Sequence, residues 1–393
     1  MRIALFSGNY NYLREGANQA LNRLVHHLEA EAGHVVRAYS PVTSTPAFEP
    51  AGTLVPVPSV RLPVRGEFQL ALGLPAAIRE DIDRFAPDLV HVATPDILCS
   101  RALTFAKRRG VPAIASQHTL FETYLDYYRL GWLKPMVETH LRRFYRRADH
   151  VLTPTETLAV AMRRLRGDER VTVWSRGVDR TIFDPTRREM AWRRAQGIAD
   201  EETVVLFFGR LVLEKGVETY VEVIRTLQAR GRPVRPLLVG AGPARSDFAE
   251  LAGVVATGHL QDRDLARAVA SADIMLTPSM TETFGNVVLE AMACGLPVVS
   301  ADAPSARALI DHGSDGWLCS ADDVAAYVAA LEALIGSPDL RHKIGTHAER
   351  KSHAYAWSDV SAAVERVYQT VRSAQHPSLI NRNQRQSAGR VTI

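Results

Sequence analysis

At 393 residues the chain is too long for one ordinary hydrophobic core, so two domains are expected. Its 46% hydrophobic and 23% charged residues exclude a disordered or fibrous chain, and a formal net charge of +4 is too mild to demand nucleic acid. Cys99, Cys294 and Cys319 lack paired spacing, which argues against a disulfide framework or a zinc site and fits a reducing cytoplasm.

In chain order, the N-terminus has a short apolar run broken by Gly8 and Asn9. It reads as a first strand over 2–7 and not as a signal peptide. No stretch approaches the length needed to span a bilayer. Further strands are expected at 34–39, 88–92, 113–116, 150–153 and 171–174, with helical patterns at 17–30, 98–109 and 134–147 among them. The pattern restarts with strands at 203–209, 234–239, 253–257, 273–277 and 297–301, joined by helices near 217–229, 264–271 and 287–294. A last helix is expected at 357–373. The polar residues 374–393, with Arg382, Arg385 and Arg390, read as a disordered tail.

Strands alternating with helices imply an α/β class with parallel sheets covered on both faces. Two such series predict two Rossmann-like domains, 1–175 and 176–355, with a linker near 176–185. Ligands in such folds bind at the C-terminal ends of the strands.

The stretch with the most chemistry is Glu282-Thr-Phe-Gly-Asn-Val-Val-Leu-Glu290. Glu282 falls in a loop after an expected strand, and Glu290 lies inside a helix starting near Gly285. A helix that starts at a strand's C-terminal end aims its free amides and positive dipole end at a bound anion. Flanking carboxylates suit the hydroxyls of a sugar or ribose. This stretch resembles the E-x7-E signature of the retaining glycosyltransferases of family 4. These have the GT-B fold, two Rossmann-like domains with parallel sheets facing a central cleft. The resemblance implies that Glu282 meets the donor sugar and Glu290 the nucleotide ribose, with Thr283, Phe284, Gly285 and Asn286 beside the donor.

Gly209-Arg-Leu-Val-Leu-Glu-Lys-Gly216 is similar to the family's G-R-x-x-x-x-K-G segment, whose cations, here Arg210 and Lys215, bind the donor diphosphate. A departing nucleoside diphosphate gains negative charge, and fixed cations stabilise it more as the bond breaks. By the same resemblance Gly240 and Gly242 form a glycine turn beside the nucleotide, and Leu260 lies where relatives hold the base through backbone groups. A tight structural turn at the two glycines is compatible with that role.

In the first half, the resemblance places the loop 9–17 against the cleft, with Gly16 near the donor phosphate. This chain has one glycine there where many relatives have two. Tyr10 and Tyr12 are candidates to stack on the acceptor, or packing residues. His118 corresponds to a cleft histidine near the reacting sugar, with a satisfied core histidine as the alternative. Glu122 and Tyr124 are further acceptor-side candidates. Trp174-Ser-Arg-Gly-Val-Asp179 resembles the W-x-R-G-V-D linker of a branch that includes mannosyltransferases and plant-type sulfolipid synthase. The terminal helix is implied to cross back onto the first domain.

Residues 124–147 interleave aromatics with Lys134, Arg142, Arg143, Arg146 and Arg147, and Arg163, Arg164 and Arg166 follow. Residues 1–175 hold 22 Lys and Arg against 17 Asp and Glu. This suits an anionic bilayer surface, and an ordinary solvated helix face explains it as well. Asp262-Arg-Asp264 has D-x-D spacing, for which Asp264 as a helix N-cap is the better account than a metal ligand. Relatives of this fold generally work without metal, so no metal or other cofactor is expected.

Together these features point to transfer of a sugar from a UDP- or GDP-sugar to an acceptor hydroxyl, with retention and an α linkage. The expected acceptor is a membrane lipid, such as diacylglycerol or a glycolipid, reached from the cytoplasmic face. The alternatives are a nucleotide-sugar epimerase and a non-catalytic nucleotide-sugar-binding protein. An NAD-dependent oxidoreductase is disfavoured because no G-x-G-x-x-G follows a strand.

Overall fold

The computed structural model describes residues 1–61, 68–119 and 131–375. Glu122, Tyr124, the start of the aromatic-basic stretch and the tail beyond residue 375 lie outside the described residues. The chain divides into two compact units: Met1–Ser175 with the residues from Ser358 onward, and Arg176–Trp357.

The first unit is built on seven parallel strands: β1 (Arg2–Phe6), β2 (Val35–Ser40), β3 (Thr53–Pro56), β6 (Leu89–Val92), β7 (Ala113–Ser116), β8 (His150–Thr153) and β9 (Val171–Val173). Their order is β3-β2-β1-β6-β7-β8-β9, so the winding reverses at β1. A separate antiparallel pair, β4 (Ser59–Arg61) and β5 (Gln69–Ala71), stands outside this sheet. Helix Ile97–Arg109 starts where the Asp96 side chain accepts from the Cys99 N–H. Helix Glu156–Arg166 starts where Thr155 accepts from Leu158. Each of these caps satisfies an amide that has no partner within the helix. From Ser358 onward, helix Trp357–Gln375 belongs to this unit; Val360, Val364, Tyr368 and Val371 form its buried stripe.

The second unit has six parallel strands: β10 (Thr203–Phe208), β11 (Val234–Val239), β12 (Val255–Gly258), β13 (Ile274–Thr277), β14 (Val298–Ala301) and β15 (Gly316–Cys319). Their order is β12-β11-β10-β13-β14-β15, with the reversal at β10. Successive side chains of a strand face opposite ways. Val204 and Leu206 accordingly enter one core, with Leu237, Val239 and Met275. Val205 and Phe207 enter the core on the other face, with Leu238, Ile274 and Leu276. This double burial explains why β10 reads as an unbroken apolar run. The segment after Ser175 is anchored here, as Val178 donates its N–H to Tyr355 and Val178 and Phe183 join the core.

Three differences from the expected elements have local causes. The edge strand β3 and the β4–β5 pair lie in a proline-rich stretch that masks strand patterning. The edge strand β15 is only four residues long and pairs with β14 alone. The helix expected at 264–271 is Asp262–Ala270, with Gln261 at the cap position. Asp264 is therefore not the N-cap; it lies in the first helical turn and accepts from Arg267 at 2.9 Å.

Candidate active site

In a doubly wound sheet, the strand ends on either side of the reversal leave a crevice where ligands bind. In the second unit this point lies between the adjacent parallel strands β10 and β13. The chain leaves β10 through Gly209 and the exposed Arg210, then makes a single tight turn, Leu213–Lys215, before helix Val217–Ala229. It leaves β13 through the loop bearing Glu282 and enters helix Asn286–Ala293 at Gly285, whose φ is +96°. The two loops meet. Lys215 Nζ lies 2.5 Å from Glu282 Oε1, and the Thr281 hydroxyl donates to the Glu214 carbonyl at 3.1 Å. Both side chains of the Lys215–Glu282 pair are about three-quarters buried. A cation, a carboxylate and a helix N-terminus therefore converge at the crevice of one unit.

Glu290 lies on that same helix, five residues past its cap, and is partly exposed. Burial alone pushes its carboxyl up to about 8. A carboxyl so poised exchanges its proton near neutral pH, and bound hydroxyls would replace the water it has lost.

The glycines have a packing role of their own. A Cβ on Gly240 would lie 1.9 Å from the Gly209 carbonyl oxygen, and one on Gly216 would lie 2.5 Å from that of Pro278. No side chain fits at such separations, so glycine lets the strand-end loops close on one another. Gly242 likewise sits against Leu211, whose carbonyl accepts from Ala244. Phe284, expected beside the donor, has its side chain in the core instead, 3% exposed and edge-on to Tyr355. Its ring fills the core, so only its backbone is left to meet a ligand. Thr283 and Asn286 remain partly exposed, and Leu260 packs partly buried on the core edge.

In the first unit, His118 follows β7 and is 8% exposed. Its Nε2 lies 2.8 Å from Ser116 Oγ, and its ring stands edge-on to Trp174 at 5.3 Å. Gly16 is exposed at the start of helix Gly16–Ala30. The loop before it is held by asparagines: Asn22 donates to the Tyr10 carbonyl and Asn11 to that of Phe48.

The acceptor reading of Tyr10 and Tyr12 is corrected. Tyr10 is fully buried and its hydroxyl donates to the Ala51 carbonyl. Tyr12 is 5% exposed; it donates to the Gly8 carbonyl and accepts from the Gln69 N–H. Each hydroxyl finds a backbone partner, which is what allows a loop tyrosine to serve as core.

One arginine of the basic stretch is withdrawn from the surface, while Arg146, Arg147 and Arg164 are exposed. Arg166 is buried and donates to the Tyr145 and Ala148 carbonyls, with Asp168 beside it. Arg146 donates to the Arg166 carbonyl, and Arg147 to Ser100 and Thr104. Arg142 and Arg143 are exposed on helix Lys134–Tyr145. Two large exposed apolar side chains, Trp132 and Met136, precede them in the chain. Met136 and Arg143 are two helical turns apart and share a face. Among the described residues no helix is long and apolar enough to cross a membrane.

Sequence reasoning missed the Lys215–Glu282 contact, while His118 has the hydrogen-bonded, mostly buried surroundings of the core-histidine alternative. The residue types were visible, but no spacing signal links positions 67 apart.

Both units match families of known proteins. Residues 14–181 match the family model described as Glycosyltransferase Family 4, and residues 202–337 match the one described as Glycosyl transferases group 1. The chain is 32% identical over 368 residues to a GDP-mannose-dependent alpha-mannosyltransferase of Mycolicibacterium smegmatis, covering 91% of this chain and 94% of the relative. It is 34% identical over 304 residues to sulfoquinovosyl transferase SQD2 of Arabidopsis thaliana, covering 73% of this chain but only 58% of that longer relative. An alpha-monoglucosyldiacylglycerol synthase of Streptococcus pneumoniae is 27% identical over 358 residues, with 86% of this chain and 80% of the relative covered. In three dimensions, sucrose-phosphate synthase from Thermosynechococcus elongatus superposes with a TM-score of 0.76 at 18% identity, covering 95% of this chain and 99% of the other. That likeness bears on the fold alone, which is GT-B. With a relative of this identity matched along nearly its whole length, the chain belongs to family 4 of the glycosyltransferases.

Proposed function

We propose that this glycosyltransferase moves a sugar from a UDP- or GDP-sugar to an acceptor hydroxyl with retention, forming an α linkage without a bound metal. The observation that carries this reading is the convergence of Lys215, Glu282 and the start of helix Asn286–Ala293 at the crevice between β10 and β13. Arg210 and Lys215 take the growing charge of the departing diphosphate, together with the amides at the helix start. Glu282 orients the sugar hydroxyls, and Glu290 receives the ribose. In this reading the leaving phosphate itself helps to deprotonate the acceptor, and His118 hydrogen-bonds the sugar. Loop glycines 209, 240 and 242 keep side chains away from the nucleotide. The M. smegmatis relative's name specifies GDP-mannose and an alpha product, which supports this class of donor and linkage.

The proposed acceptor is a membrane lipid, diacylglycerol or a glycolipid, reached by peripheral attachment to the cytoplasmic face. Support comes from the exposed Trp132, Met136, Arg142 and Arg143, and from the S. pneumoniae relative, named for a glucosyldiacylglycerol product. The test is a screen of UDP- and GDP-sugars for protection against thermal unfolding, followed by turnover of the protecting donor with diacylglycerol. A bound donor raises stability by mass action. Protection by one donor, with nucleoside diphosphate released when lipid is added, is the expected result. Release without acceptor, or no protection by any nucleotide sugar, contradicts it.

A further inference from the structure

Behind His118, polar side chains are joined in series within the first unit. The Tyr368 hydroxyl lies 2.6 Å from His91 Nδ1, His91 Nε2 lies 2.7 Å from Ser116 Oγ, and Ser116 Oγ lies 2.8 Å from His118 Nε2. The first three residues are 0–1% exposed. They come from three separate elements: helix Trp357–Gln375, β6 and β7. Aromatic contacts hold the rings in register, with His91 edge-on to Tyr368 at 5.7 Å and Trp174 against both histidines.

The chain of bonds has one self-consistent direction. Among the described residues the Tyr368 hydroxyl has a single partner, His91 Nδ1. If the phenol accepted there, its own proton would be buried without an acceptor, a costly arrangement. It therefore donates, and His91 Nδ1 accepts. Burial holds His91 far below the usual histidine range, at about 3, so the ring is neutral and carries its one proton on Nε2. That N–H donates to Ser116 Oγ. The serine proton then has one remaining partner, His118 Nε2, which must accept it. The proton of a neutral His118 is thereby placed on Nδ1.

We propose that Tyr368, His91 and Ser116 form a directed hydrogen-bond relay that fixes the Nδ1–H tautomer of His118, making them positioning residues for the sugar transfer. The catalytic half of this inference rests on the role given to His118 above; the tautomer half does not. A histidine that hydrogen-bonds a substrate must present the correct nitrogen, and the partner on its other nitrogen decides which one that is. The relay also gives the last helix a task. Tyr368, 250 positions after His118 in the chain, sets the state of a ring it does not touch.

The experiment is histidine-selective nitrogen-isotope labelling of the full chain, with the His118 signals assigned by their loss in His118→Gln. In wild type the expected spectrum shows a protonated Nδ1 and a bare Nε2. Tyr368→Phe removes the donor that sets the direction, and the His118 signals shift toward a protonated Nε2. Ser116→Ala cuts the relay at its last link and shifts them likewise, while Ser116→Thr restores the wild-type pattern. Turnover falls several-fold in Tyr368→Phe and Ser116→Ala and recovers in Ser116→Thr, which keeps the wild-type unfolding midpoint, whereas Ser116→Ala melts lower because the His91 Nε2–H is left without an acceptor. A protonated Nε2 in wild type, or a tautomer indifferent to Tyr368→Phe, overturns the relay. A tautomer that switches while turnover stays constant overturns the role of His118 in the reaction, and with it the positioning role of the other three.

Discussion

Lys215 and Glu282 stand 67 positions apart in the chain and 2.5 Å apart in space, each on the loop that follows one of two adjacent strands. The contact makes their roles interdependent. In the proposed reaction Lys215→Ala removes a charge-stabilising donor and leaves the Glu282 carboxylate without its cation beside the diphosphate. Lys215→Ala and Arg210→Ala should each lower turnover by about 2–4 kcal/mol of barrier. The pair adds a sharper expectation. In the Lys215→Ala background, Glu282→Gln should recover part of the lost nucleotide affinity, because it removes the repulsion, but none of the turnover. Nucleotide titration of the single and double variants measures this. Equal affinities in the single and double variants would show that the pair does not act on the diphosphate.

Glu290 predicts a pH-dependent stability with a definite sign. Its carboxyl is raised from an ordinary value of 4.5 to about 8 in the folded chain. Between those values the folded state binds more protons than the unfolded one, so this group's contribution to stability declines as pH rises through the window. Glu290→Gln removes the penalty. The variant should melt a few degrees above wild type at pH 9 and close to it at pH 4, while binding donor more weakly at both. A thermal scan across pH checks it, and a variant less stable than wild type at pH 9 contradicts the account. The expected pattern is a trade of stability for ligand binding, as functional sites often show.

How much of this was legible in the sequence differs by element. Helix Val217–Ala229 and strand β11 were readable at their full bounds, because a glycine marks one end and apolar periodicity covers the body. The alternation of strands and helices implied the fold class, since a parallel sheet requires crossovers. The residue types of the site were visible as motifs. Their side-chain environments were not. Phe284 read as a ligand contact and Tyr10 as either a ligand contact or a packing residue, because a loop aromatic beside a motif looks the same whether it faces a ligand or the core. Arg166 read as surface charge, yet its guanidinium satisfies two buried carbonyls, and only the fold decides where carbonyls are left without partners.

Metal independence is the next expectation. In the proposed reaction Arg210 and Lys215 supply the positive charge that a metal would otherwise bring to the diphosphate. Turnover should persist in EDTA with the donor affinity unchanged. Activity abolished by EDTA and restored by Mn2+ or Mg2+, at product concentrations too low to inhibit, would require a metal in the reaction.

The membrane expectation follows from the exposed basic face. Arg166 is buried, and the exposed Arg146 and Arg147 also donate to carbonyl and hydroxyl partners within the first unit, so reversing these three charges would disturb the fold as well as any surface. Arg142 and Arg143 are exposed, with Met136 on the face of Arg143 and Trp132 one turn before the helix. A cation close to an anionic bilayer contributes about 1 kcal/mol, and the attraction fades over a Debye length. Two arginines with two apolar side chains inserted shallowly therefore predict weak, reversible, salt-sensitive attachment. Wild type should float with anionic vesicles at low salt and release as salt rises. Arg142→Glu with Arg143→Glu should abolish flotation, and Met136→Glu should weaken it without changing turnover of a short-chain soluble acceptor. Wild type that ignores anionic vesicles at low salt would end the membrane reading and favour a soluble or polysaccharide acceptor. Equal flotation of wild type and the double variant would place the attachment on another face.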